Sequence, residues 1–136
     1  MIQLIVGPKG TGKTKRILDM VNAEVAEAKG NVIFIDDDKR YMYDISHQAR
    51  FVNVKDYAID TEEKLYGFFC GMLAQNFDIS AIYVDAFLHI LHKKVSEIEW
   101  LFQELLQFIK EHDIKMVFNV SAALEDVPEY MKPYII

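Results

Sequence analysis

Ile2-Gln3-Leu4-Ile5-Val6-Gly7-Pro8-Lys9-Gly10-Thr11-Gly12-Lys13-Thr14 decides the fold. Residues 2–6 read as a strand that runs straight into a glycine-rich loop. From Lys13 to Lys29 the apolar positions Ile17, Leu18, Val21, Val25 and Ala28 recur at helical spacing, and Gly30 supplies a stop signal. Strand, tight loop and helix in that order open an α/β unit.

The same alternation continues outward from that opening. Asn31–Ile35 is a second apolar strand and Phe51–Val54 a short third. Between Glu62 and Phe77 the set Leu65, Phe68, Phe69, Met72, Leu73 and Phe77 predicts a helix. Ala81–Val84 is a strand, and Val95–His112 a helix with Ile98, Leu101, Phe102, Leu105 and Ile109 on one face. Lys115–Val120 is a strand again. Strands that are apolar throughout, rather than alternating, are buried on both faces, which implies parallel pairing under helices. The expectation is one α/β domain over residues 1–136, a three-layer α/β/α sandwich on a mostly parallel sheet of about 4–5 strands. Ligands bind at the carboxyl ends of such strands, here Gly7–Thr14, Asp36–Arg40, Asp85–Ala86 and Asn119–Ser121.

Composition narrows the function classes. At 136 residues the chain fits one domain with a real hydrophobic core. Fifteen Lys and Arg against twenty-one Asp and Glu leave a net charge of −6, which argues against broad nucleic-acid binding driven by phosphate neutralisation. The single cysteine, Cys70, forms no internal disulfide. No stretch approaches the roughly 18 apolar residues of a membrane span, and the N-terminal apolar run is too short for a signal peptide. A cytoplasmic protein is expected.

Gly7 through Thr14 fits G-x-x-x-x-G-K-[ST] completely. Glycines let successive backbone N–H groups turn inward as an anion nest, and the following helix aims its positive end at the same point. Lys13 supplies a compact cation for β- and γ-phosphates, and the Thr14 hydroxyl is suited to ligate Mg²⁺. A glycine-rich turn without a ligand is the alternative, but the pattern arises by chance in only roughly 0.5% of chains this long. The strand before it and the helix after it reduce that chance further.

On these residues the chain resembles the P-loop NTPase superfamily, on its ASCE or RecA-like side, over nearly its whole length. The resemblance implies a bound Mg²⁺–nucleoside triphosphate, with phosphates held by Gly7, Pro8, Lys9, Gly10, Thr11, Gly12, Lys13 and Thr14. Ala81-Ile82-Tyr83-Val84-Asp85 is similar to the family's Walker B element, which makes Asp85 the metal partner of Thr14. Many family ATPases place a glutamate directly after that aspartate; here it is Ala86. Asp36 and Asp37, at the end of the second strand, are the expected replacements as catalytic base beside Lys13. Asn119 and Ser121 resemble the polar sensor position beside the γ-phosphate, which requires their strand to lie between the first strand and the Asp85 strand. No guanine-reading N-K-x-D occurs, so ATP is favoured over GTP.

Asp38-Lys39-Arg40-Tyr41 and Cys70-Gly71-Met72-Leu73-Ala74-Gln75-Asn76 are also loosely similar to short P-loop proteins labelled twitching-motility-like. The histidine-bearing boxes of pilus motors are not in this sequence.

Weaker signals surround this site. Residues 36–50 lack a clear period, and long irregular segments in compact domains tend to be functional or disordered. Tyr41 or Tyr43 there could stack on a base, and Arg40 or Arg50 could reach a phosphate. His89 and His92 have no Cys or carboxylate cluster of metal-ligand spacing around them and read as surface residues near Lys93 and Lys94. Cys70 and Trp100 read as packing. The tail Val127–Ile136 is apolar, suited to dock beside the first strand or to meet a second copy or protein partner. Three functions remain: a small ATPase with slow or partner-dependent hydrolysis, a nucleotide-dependent switch without turnover, and a small-molecule phosphotransferase.

Overall fold

In the computed structural model, which describes residues 1–136, five strands form one all-parallel sheet. They are β1 (Ile2–Gly7), β2 (Asn31–Asp36), β3 (Arg50–Asn53), β4 (Ile79–Val84) and β5 (Lys115–Ser121), in the spatial order β1-β5-β4-β2-β3. The helices are α1 (Lys13–Glu27), α2 (Glu62–Gln75), α3 (Phe87–Leu91) and α4 (Glu99–Glu111).

Strand side chains alternate between faces, and that alternation sorts the core into two layers. Ile5, Val32, Phe34, Ala81, Tyr83 and Val117 point to one face and pack with Ile17 and Val21 of α1. Leu4, Ile33, Ile35, Ile82, Val84, Met116 and Phe118 point to the other, against Leu65 and Phe69 of α2 and Leu101, Phe102 and Leu105 of α4. The three layers follow from this division. On the α1 face the Tyr83 hydroxyl donates to Glu24 Oε1 at 3.0 Å and Lys115 Nζ donates to the same oxygen at 3.1 Å. Burial and the adjacent Glu24 charge push the Tyr83 phenol up, so it stays a donor.

Several element ends differ from the sequence expectation. Phe77 lies beyond the end of α2, which stops at Gln75, and its ring is almost wholly exposed. The helix expected over 95–112 divides into a 3₁₀ turn at Val95–Glu97 and α4. Gly30 does not end α1 by adopting a left-handed conformation; the cap is Ala28, in extended geometry. A Cβ at Gly30 would collide with the Asp78 carbonyl oxygen, the same oxygen that accepts from Asn31 N–H at 2.6 Å. Only glycine permits that approach.

The tail docks on its own sheet. Ile135 bridges Leu4 in parallel, the Ile136 N–H donates to the Leu4 carbonyl at 2.9 Å, and Val127 and Met131 are buried. No helix is long and apolar enough to cross a membrane.

Candidate functional site

Strand register builds the site. Phe34, Tyr83 and Val117 form one row across β2, β4 and β5 on the α1 face. Two residues further along each strand stand Asp36, Asp85 and Asn119, facing the same way and all buried. Asn119 pairs with Ile5 of β1 on its other side, so β5 lies between β1 and β4. The sensor reading of Asn119 and Ser121 needs that order.

The polar row is hydrogen-bonded to the start of α1. Asn119 Nδ2 donates to Asp85 Oδ1 at 2.7 Å, and Thr14 Oγ1 donates to Asp85 Oδ2 at 3.3 Å. Two buried oxygens of the row, Asp36 Oδ2 and Asn119 Oδ1, have no hydrogen-bond partner. Orphaned acceptors of this kind are uncommon in folded proteins and mark a place where something else completes the set.

The loop between β1 and α1 curls over this row. Gly10 and Gly12 have φ of 82° and 85°, a region that disfavours any residue with a Cβ. The turn is closed by Thr11 Oγ1, which donates to the Pro8 carbonyl at 2.7 Å. Lys13 Nζ donates to the same carbonyl at 2.8 Å, folding its ammonium back on the loop. Burial lowers the Lys13 pKa, opposed by the Asp85 carboxylate. The N-terminus of α1 has neither a side-chain cap nor an acidic residue in its first turn. By contrast, Thr61 caps α2, whose first turn carries Glu62 and Glu63. The start of α1 therefore presents uncompensated N–H groups and an undiminished dipole to the cleft.

The cleft has a volume of about 1350 Å³. Its walls include Lys9, Gly10, Gly12, Lys13, Thr14, Asp36, Asp37, Asp85, Asn119 and Ser121, all of them site residues expected from sequence. Arg40 and Tyr41 also line it. Arg50 and Tyr43 do not: Arg50 opens β3 at its amino end, and Tyr43 borders a separate shallow hollow with Met42, Ile45 and Phe51.

Asp36 and Asp37 occupy different environments. Burial, with the neighbouring Asp85 and Asp37 charges, raises the Asp36 pKa to about 8, so at neutral pH it is a carboxylic acid. Burial also acts to raise Asp37, but hydrogen bonds to His89 and Asp36 and the His89 and Lys55 charges outweigh it and hold Asp37 below its usual value. Asp37 Oδ2 is in direct contact with His89 Nδ1.

The sequence reading did not connect His89 with Asp37. It placed this residue at the surface, and the imidazole is indeed two-thirds exposed; it also lines the cleft. The available signal was Phe87-Leu88-His89-Ile90-Leu91, one polar residue in an apolar run four positions after Asp85. Phe87, Leu88, Ile90 and Leu91 are all buried, leaving His89 as the exposed member of α3. Lys94 on the same rim, and Lys93, tied by a 2.8 Å ion pair to buried Glu62, also line the cleft.

No protein-family model matches the chain, and no curated protein matches it.

Proposed function

We propose that this cleft binds Mg²⁺–ATP and that the protein is a small P-loop ATPase with slow or partner-dependent hydrolysis. The observation that carries the reading is the uncapped start of α1, with its glycine nest and Lys13, set against the Thr14–Asp85 contact at 3.3 Å. A polyphosphate is the ligand that meets a helix N-terminus, inward N–H groups and a lysine at once.

The donor set fits magnesium. Thr14 Oγ1 and Asp85 Oδ2 are hard oxygen ligands, and the partnerless Asp36 Oδ2 on the adjacent strand would accept from a metal-bound water once the cation's charge ionises it. Magnesium at that position would neutralise charge on the β- and γ-phosphates. Lys13 would exchange the Pro8 carbonyl for a phosphate oxygen, a change favoured because a buried ammonium gains a charged partner. Asn119 fixes the Asp85 carboxylate through Oδ1 and leaves Oδ2 toward Thr14. Ser121, exposed at the end of β5, stands at the rim as a further polar contact. The residue after Asp85 is Ala86, which supplies no carboxylate to polarise water, and this supports slow turnover unless another group takes that role.

Titration with Mg²⁺–ATP by calorimetry tests the reading. Lys13→Ala should weaken affinity on the order of 100-fold, the loss of a charge-assisted bond to phosphate, while the melting transition persists. Asp85→Ala should remove the magnesium dependence of binding more than the binding itself. Unchanged affinity in the Lys13 variant would sink the site assignment. Binding without phosphate release would favour a nucleotide-dependent switch, and release to an added hydroxyl acceptor alone a phosphotransferase.

A further inference from the structure

We propose that His89, oriented by Asp37, is the proton acceptor for the water that attacks the terminal phosphate in this cleft. The inference rests on the Mg²⁺–ATP reading above and supplies the base that Ala86 does not.

Position is the first argument. Asp36 continues β2 beside Asp85 of β4, one strand spacing or about 4.8 Å away. Asp37 is the next residue, and His89 touches it. The pair therefore stands across Asp85 from the phosphate loop, on the far wall of the same cleft.

Chemistry is the second. The Asp37 carboxylate is an acceptor only, so contact through His89 Nδ1 fixes that nitrogen as the N–H donor. In the neutral imidazole the lone pair is then on Nε2, and the ring is two-thirds exposed and lines the cleft. A carboxylate that orients an imidazole and stabilises its protonated form, while remaining charged itself, is a recurring arrangement for general bases.

The backbone supplies a third, independent argument. α3 is only five residues long, and the residues flanking it, Ala86 and His92, both adopt left-handed conformations with φ of 54° and 53°. That region disfavours any residue with a Cβ. The turn at Ala86 sends four apolar side chains of α3 into the core and leaves His89 against Asp37. Local strain of this kind accumulates where a side chain must be held in place.

The step balances without a further reactant. The water oxygen bonds to the γ-phosphorus as the bond from phosphorus to the β,γ-bridging oxygen breaks, and ADP leaves with that electron pair. The water proton passes to His89 Nε2 and from there to solvent. Asp37 acts as a positioning residue and does not take the proton.

Measurements on the full chain test this. In the free protein, ¹⁵N spectra should show His89 as the Nδ1–H tautomer, and Asp37→Asn should abolish that preference. In single-turnover phosphate release, His89→Gln and His89→Ala should each be slowed at least 100-fold, with Mg²⁺–ATP affinity within about 3-fold of the parent. Added imidazole should restore part of the rate to His89→Ala but not to Lys13→Ala. Asp37→Asn should lower the rate 10-fold or more, and the Asp37→Asn/His89→Ala double variant should be no slower than His89→Ala alone, because the pair acts as a unit. Parent-like turnover in both His89 variants that still bind Mg²⁺–ATP would overturn the proposal while leaving the nucleotide reading intact. A parent protein that binds Mg²⁺–ATP and releases no phosphate would overturn it equally. Failure of the parent to bind at all would remove both.

Discussion

The buried carboxyl of Asp36 ties the stability of this fold to pH. Its Oδ1 accepts the Asp37 N–H at 2.7 Å, and its Oδ2 has no partner. With a folded pKa of about 8 against an ordinary 3.8, the folded protein keeps a proton that the unfolded chain has released between those values. Over that window the unfolded state binds fewer protons, so stability falls as pH rises from about 4 to about 8 and levels off above. Asp36→Asn keeps an oxygen for the Asp37 N–H and removes the titration. The variant should gain on the parent progressively across the window, reaching about 1–3 kcal/mol near pH 8, less than full linkage because the carboxyl borders an open cleft. Thermal melts of both proteins from pH 4 to pH 9 check it; a constant gap would show that Asp36 ionises normally. The same substitution should leave Lys13 on the Pro8 carbonyl, since Asp36 makes no contact with that ammonium.

At the scale of elements, α4 depends on a residue that is not its own. Its N-cap is Ile98, which has no side chain to accept from the first turn. Glu62, in the first turn of α2, reaches across and accepts the Leu101 N–H at 3.0 Å through Oε2, while Oε1 holds Lys93. One buried carboxylate thus caps one helix from another and anchors the cleft rim. Glu62→Ala leaves a buried N–H without a partner and should cost about 1–3 kcal/mol in chemical unfolding. It should also release Lys93, with no loss of the Thr14–Asp85 contact on the opposite wall. Such a cap is invisible in sequence because donor and acceptor are 39 residues apart. The division of the expected 95–112 helix has the same origin: Glu97 accepts the Lys94 N–H at 2.8 Å and closes a 3₁₀ turn before α4 begins.

Across the whole molecule, what was legible in sequence was local. The Gly7–Thr14 loop is a contiguous pattern whose glycines meet a backbone demand, and the structure gives Gly10 and Gly12 positive φ. Asp85 and Asn119 could be picked out because each breaks or ends an apolar strand, and the sheet brings them together. The Asp37–His89 contact could not, because it joins the end of β2 to α3 across 52 residues and neither neighbourhood announces the other. The tail lies between these cases. Its apolar character was plain, but whether it meets its own sheet or another chain is a tertiary matter, and here it closes the free edge of β1. That closure has consequences for the cleft, since β1 leads into the Gly7–Thr14 loop and Arg16 of α1 donates to the Ile136 carbonyl at 3.2 Å. Phe102 meets Tyr130 and Tyr134 with ring centroids 5.9 and 5.5 Å apart, and Met131 is fully buried beside them. Met131→Ala should therefore cost about 2–4 kcal/mol, the range for emptying a core position of this size. Loosening the tail also uncovers the unpaired β1 edge, which templates pairing with another chain. The variant should accordingly self-associate as its concentration rises, read by light scattering, while the parent's scattering stays proportional to concentration. A destabilised variant that remains monomeric would mean the tail contributes packing alone, and that the β1 edge is protected by other means.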